Sequence, residues 1–89
     1  MITSLHLGEK IISVNFISIG NKDINHYSLF CKNTELFVQL EERLYSDFPK
    51  FKDYETYFEV NKKRIKRFKT VDENKIENND IINICIKDD

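Results

Sequence analysis

Residues 70–87 read Thr-Val-Asp-Glu-Asn-Lys-Ile-Glu-Asn-Asn-Asp-Ile-Ile-Asn-Ile-Cys-Ile-Lys. The segment opens polar and acidic, with Val71 and Ile76 as its only apolar anchors. Glu77-Asn78-Asn79-Asp80 is rich in turn formers, so the chain reverses there. Ile81–Ile86 then predicts a strand. Strand side chains alternate between faces, so Ile82, Ile84 and Ile86 share one face and Ile81, Asn83 and Cys85 the other. Three β-branched residues mark the first of these as the core face. An anchored polar loop therefore feeds a closing strand.

Upstream, Thr56–Val60 predicts a strand with Phe58 and Val60 inward. Asn61-Lys62-Lys63-Arg64 predicts a turn, and Ile65–Lys69 a short strand or extended piece. Thr34–Asp47 predicts the only long helix. Asn33 or Thr34 can cap it, and Glu35 suits its first turn. Leu36, Phe37, Leu40 and Leu44 form one apolar stripe, with Gln39, Glu41, Glu42 and Arg43 largely off it. Pro49 disfavours helical geometry at Phe48, which ends the helix. Phe48 then returns to the core, and 50–55 is a polar connection with aromatic footholds at Phe51 and Tyr54. Nearer the start, Lys10–Ile19 predicts a strand in which Ile12, Val14 and Phe16 alternate with Ser13 and Asn15. Ile11, Ile17 and Ile19 mark an edge, a bulge or a covered outer face. Residues 20–25 form a turn. His26–Cys31 predicts the partner strand, with Tyr27, Leu29 and Cys31 on one face and His26, Ser28 and Phe30 on the other. The order is ββαββ with a returning last strand. It gives an α+β fold, one helix packed on a mixed four- to five-stranded sheet.

Eighty-nine residues make one domain. It spans 10–87, with an N-terminal arm at 1–9 and a tail at 88–89. A composition 40% hydrophobic and 33% charged is that of an ordinary globular chain. A net charge of −1 supplies no global pull toward nucleic acid or a membrane surface. No apolar run approaches the roughly 18 residues of a membrane span. Cys31 and Cys85 stand far apart, with no CxxC and no histidine at metal spacing, so neither a disulfide framework nor a metal site is expected. A reducing intracellular compartment, and cytoplasm in particular, fits this cysteine usage. No cofactor and no small-molecule substrate is expected.

The order and spacing from Tyr57 to Lys87 resemble the closing half of ubiquitin: a strand, a turn, the lone Ile65, the loop Thr70–Ile76 and the last strand. The likeness extends over roughly Lys10–Lys87 and implies a ubiquitin-like β-grasp domain. In that superfamily the architecture is non-catalytic and serves either as a conjugated modifier or as a docking domain. The chain departs from ubiquitin at the surfaces that carry those functions. It ends Ile86-Lys87-Asp88-Asp89 without the Gly-Gly that conjugation threads through an activating enzyme. At the positions of ubiquitin's exposed Ile, His and Val patch it carries Glu59, Asn83 and Cys85. A charge at the patch centre implies rejection of ordinary ubiquitin-binding modules.

Six of the eight residues 62–69 are basic: Lys62, Lys63, Arg64, Lys66, Arg67 and Lys69, interleaved with Ile65 and Phe68. Such a run is either a docking patch for an acidic partner or for RNA or DNA phosphates, or a solvated turn that blunts a sheet edge. The acids from Asp72 onward leave no broad basic field and favour the turn. The adjacent carboxylates Asp72-Glu73 and Glu41-Glu42 do not face each other, so acid–base catalysis is not expected. His26 and Cys31 fall on opposite faces of one strand, which excludes a nucleophile pair. Cys31 reads as core filler and Cys85 as partly exposed. The expected function is therefore a non-catalytic protein-binding subunit or adaptor. It docks into a larger assembly through Tyr57, Ile81, Asn83, Cys85 and Glu59 on the outer sheet face, with Ile11, Ile17 and Phe30 extending that face. The basic turn at Lys62, Lys63, Arg64, Lys66 and Arg67 contributes secondarily. The alternative is a ubiquitin-like modifier or its precursor.

Overall fold

A computed structural model describes residues 8–18 and 26–87. Five strands form one sheet: β1 (Ile11–Ser18), β2 (Tyr27–Lys32), β3 (Thr56–Val60), β4 (Lys63–Arg64) and β5 (Ile81–Ile86). Their spatial order is β2-β1-β5-β3-β4. The central pair β1 and β5 is parallel, with Phe16 opposite Ile82, and the other pairings are antiparallel. One helix, α1 (Phe37–Asp47), lies on one face. This is a ubiquitin-like β-grasp fold, α+β with a mixed five-stranded sheet. The tip of the β1–β2 hairpin, with its predicted turn at 20–25, lies outside the described residues, as do Ile19, most of the N-terminal arm and the 88–89 tail.

The alternating residues meet as their periodicity requires. Val14, Phe16, Leu40, Leu44, Ile82 and Ile84 are fully buried. Phe16 sits between three rings, 6.3 Å from Tyr27, 6.2 Å from Phe37 and 5.9 Å from Phe58. Such tilted and edge-on pairs add to the burial of the rings themselves. Val71 and Ile76, the two anchors of the polar loop, are buried, and Ile65 joins them. Ile86 is half-buried against the same core.

Helix α1 begins three residues later than its sequence pattern suggests. Asn33 does not cap it. Its side chain instead accepts from Lys10 N–H at 2.9 Å and donates to the Gly8 carbonyl at 3.1 Å, fastening the start of β1. Thr34 is turned to Glu9 at 2.6 Å, and the Glu35 carboxylate accepts from Lys32 N–H at 2.8 Å. The first free helical N–H groups find tertiary partners: Phe37 donates to the Lys69 carbonyl at 2.9 Å and Val38 to the Arg67 carbonyl at 2.8 Å. Those donors need acceptors from some source, and the 67–69 turn supplies them. Leu36 becomes the N-cap, 39% exposed rather than part of the apolar stripe. Glu41, expected off the stripe, is buried.

The helix ends at Asp47, ahead of Pro49, with Phe48 half-buried beside Tyr27 at 5.2 Å. The connection at 50–55 is not featureless. Pro49–Asp53 forms a 3-10 turn that buries Phe51 completely, whereas Tyr54 is exposed and is no foothold. Asn61 and Lys62 both have positive φ, 51° and 68°, and form a two-residue hairpin turn. The strand that follows is therefore Lys63–Arg64, and the predicted piece at 65–69 is a buried Ile65 followed by a turn.

The loop at 70–80 is held by its own polar side chains. Thr70 and Glu73 cap each other, Glu73 N–H donating to Thr70 Oγ1 at 2.9 Å and Thr70 N–H to Glu73 Oε1 at 2.8 Å. These contacts hold the Glu73 carboxyl below its usual range, the backbone donor chiefly. Asn74 accepts from Lys66 N–H at 2.8 Å and returns its amide to the Lys66 carbonyl at 2.9 Å. The Glu77–Asp80 turn then runs beside β1, with Asn79 N–H on the Ser13 carbonyl at 2.6 Å and Asn15 N–H on the Asp80 carbonyl at 3.0 Å.

Candidate functional site

The face of the sheet away from α1 carries the candidate site. Cross-strand register places Tyr57 opposite Cys85 and Glu59 opposite both Asn83 and Arg64. Ile81 lies opposite Asn15, and Ile17 opposite Asn83. The structure thus brings Tyr57, Glu59, Ile81, Asn83, Cys85 and Arg64 onto one contiguous surface, with Ile17 beside them. Ile81 is 52% exposed. The Arg64 guanidinium stacks over the Tyr57 ring, its carbon 4.4 Å from the centroid.

Ile11 and Phe30 do not extend this surface continuously. Asn15, Ser28 and His26 form a hydrogen-bonded cluster between the two apolar regions. Asn15 Oδ1 accepts from Ser28 Oγ at 2.7 Å and lies 2.9 Å from His26 Nε2. The Asn15 amide also reaches the Asn79 carbonyl at 3.2 Å. Ile11 and Phe30 remain exposed at the β2 side, a separate patch. At that sheet edge Arg43 donates to the Phe30 carbonyl at 3.0 Å and pairs with Glu35, which occupies backbone groups another strand would need.

The basic run does not act as one patch. Lys62 and Lys63 occupy the hairpin and Arg64 covers Tyr57. Arg67 bridges instead to α1, its Nε and Nη2 donating to Glu41 Oε1 and Oε2 at 2.9 and 2.7 Å. The Tyr45 hydroxyl donates to Glu41 Oε2 at 2.6 Å and also bonds Thr56 Oγ1. Burial and the Glu41 bond push the Tyr45 hydroxyl up to about 12. Lys66 and Lys69 flank Phe68, which is 74% exposed, on the turn that caps α1.

A cleft of about 440 Å³ opens beside Thr56 and Tyr57, past the end of β4, where Arg67 Nη2 rather than a strand takes the Thr56 carbonyl at 3.3 Å. Arg64, Arg67, Lys52, Tyr54 and Lys87 all line it. Lys52 and Lys87 belong to segments far from the basic run in sequence, and only the fold joins them to Arg64. The sole signal was their charge, which a surface lysine shares.

Neither cysteine is set up as a nucleophile. Burial and nearby Glu35 raise the Cys31 thiol to about 11. Burial and Glu59 raise Cys85 above its ordinary value, and the Cys85 charge in turn is the main influence raising Tyr57. Both stay neutral at physiological pH, whereas thiol reactivity needs the thiolate. Among the described residues no group of three His, Cys, Asp or Glu side chains could hold a metal ion, and no helix is long and apolar enough to cross a membrane.

No family model matches the chain, and no curated protein matches it. Among solved structures the chain is similar to a de novo designed protein based on ubiquitin. That match has a TM-score of 0.73 at 10% identity and covers 89% of this chain and 92% of the design. At that identity the likeness establishes the fold alone: the chain has the ubiquitin-like β-grasp architecture.

Proposed function

We propose that this chain is a non-catalytic docking domain, a subunit or adaptor that binds a protein partner through the outer sheet face. The observation that supports it most is the continuous surface from Ile81 through Asn83 and Cys85 to Tyr57, with Arg64 stacked on the tyrosine. Buried aromatic and arginine anchors carry most of the energy of protein interfaces. A stacked arginine is already ordered and loses less freedom on binding. The 1–9 arm and the 88–89 tail are proposed as flanks of the docking unit at 10–87. The domain acts without covalent transfer to targets and works inside the cell.

The test is affinity capture from lysate at near-physiological salt, followed by the same capture with Ile81→Ser. The expected result is one retained protein whose recovery falls with Ile81→Ser and is unchanged with Phe30→Ser, on the separate patch. Recovery insensitive to Ile81→Ser, or a ladder of isopeptide adducts on the domain, would refute the docking reading.

A further inference from the structure

We infer that the cleft beside the start of β3 is an oxyanion site, which takes an acidic side chain of the partner polypeptide. The inference rests on the docking reading above and adds the ligand chemistry.

The charge balance of the cleft is the first argument. Lys52, Arg64, Arg67 and Lys87 line it, against Glu41 and Glu55. Glu41 and Arg67 are bound to each other and, through Tyr45, to Thr56. Within the lining that leaves Lys52, Arg64 and Lys87 against the single exposed carboxylate of Glu55, with Glu59 opposite Arg64 outside the cleft. No ion pair within hydrogen-bonding range engages any of those three cations among the described residues. Three cations held around one recess repel one another, and an anion entering it removes that cost.

The second argument is geometric. The Arg64 guanidinium carbon lies over the Tyr57 ring, 4.4 Å from its centroid. The tyrosine restrains the guanidinium at the mouth of the recess, and a guanidinium can meet a carboxylate or phosphate in two parallel hydrogen bonds. The surroundings of the recess are fixed. The Lys87 N–H donates to the Glu55 carbonyl at 2.8 Å, Arg67 Nη2 reaches the Thr56 carbonyl at 3.3 Å, and Phe51 is buried beneath. About 440 Å³ is in the range of small-ligand pockets and admits one side chain with its head group. The oxyanion must enter a recess at a sheet edge, which a side chain on a flexible backbone does and a flat lipid surface does not.

The test is heteronuclear NMR titration of the labelled 89-residue chain with hexaglutamate peptide and with a phosphotyrosine peptide, each at two salt concentrations. Co-sedimentation with phosphatidylserine vesicles is the third arm. Saturable shifts are expected at Arg64, Tyr57, Lys52 and Lys87 with at least one peptide, and the stronger ligand identifies the group as carboxylate or phosphate. Arg64→Gln should weaken that binding about tenfold, the loss of one charge-assisted hydrogen-bonding group. Lys69→Gln, which removes a lysine that does not line the cleft, should leave it within about twofold. An unchanged spectrum elsewhere shows that each variant is folded. Binding of neither peptide, equal loss with Arg64→Gln and Lys69→Gln, or binding only to vesicles would overturn the inference. Failure here with Ile81→Ser still abolishing partner capture removes the oxyanion site and leaves the docking face standing. Peptide binding with Ile81→Ser silent does the reverse.

Discussion

Removing Arg67 should expose how far this small domain depends on one buried carboxylate. The Glu41 side chain is 6% exposed and its two oxygens accept from Arg67 at 2.9 and 2.7 Å. In Arg67→Met the carboxylate keeps only the Tyr45 hydroxyl. Breaking one side of a buried pair costs about 3–5 kcal/mol. The Arg67 side chain is 41% exposed, so water can reach the vacated position and the expected cost falls to about 2–3 kcal/mol. A domain of this size has about 5–15 kcal/mol in total, and each kcal/mol moves Tm by about 4–8 °C, so Tm should drop by about 10–20 °C. The pair Arg43–Glu35, whose carboxylate side chain is 19% exposed against 6% for Glu41, is the internal control, and Arg43→Met should cost less than Arg67→Met, about 1 kcal/mol. The double variant Glu41→Met, Arg67→Met removes both charges, so its loss should fall below the sum of the two single losses by more than about 1 kcal/mol. Urea denaturation followed by circular dichroism measures all four. A loss below about 0.5 kcal/mol in Arg67→Met, or simple additivity in the double variant, would refute the account.

Other outcomes follow from the same contacts. Leu40→Ala, at a fully buried position, should cost about 2–5 kcal/mol in the same denaturation assay. Alkaline stability should decline in two stages. Cys31, raised from 9.0 to about 11, and Tyr27 and Tyr45, each raised from 10.0 to about 12, favour the fold while protonated. Their contribution is complete below the lower value of each pair and lost as pH climbs to the higher one. Urea midpoints from pH 8 to 12 should therefore fall from about 9 and more steeply above 10, with a shallower fall in Tyr45→Phe. Tyr57→Ala should cost on the order of 2 kcal/mol of partner binding, while Lys62→Ala with Lys63→Ala should act mainly on the association rate at low salt. Classical ubiquitin-binding modules should not bind the native domain in a titration, and Glu59→Ile should create weak binding, because the charge would otherwise be buried unpaired.

Local pattern alone determined much of this fold. The alternation in β1, β3 and β5, the stop ahead of Pro49 and the anchors Val71 and Ile76 are all set by neighbours in sequence, and the structure follows them. The outer-face residues Tyr57, Glu59, Ile81, Asn83 and Cys85 were legible for the same reason, since strand parity assigns each its side. Tertiary contacts decided the rest. The start of α1 depends on carbonyls of Arg67 and Lys69, some thirty residues away, and Asn33 was drawn from capping by Gly8 and Lys10. Glu41 could be buried only because Arg67 arrives to neutralise it, which withdraws Arg67 from the basic run. Lys52 and Lys87 join Arg64 only where β5 ends beside the start of β3. Hydrophobic periodicity is a property of short windows, but the partner of a polar or charged group is whatever the whole chain brings within about 3 Å of it.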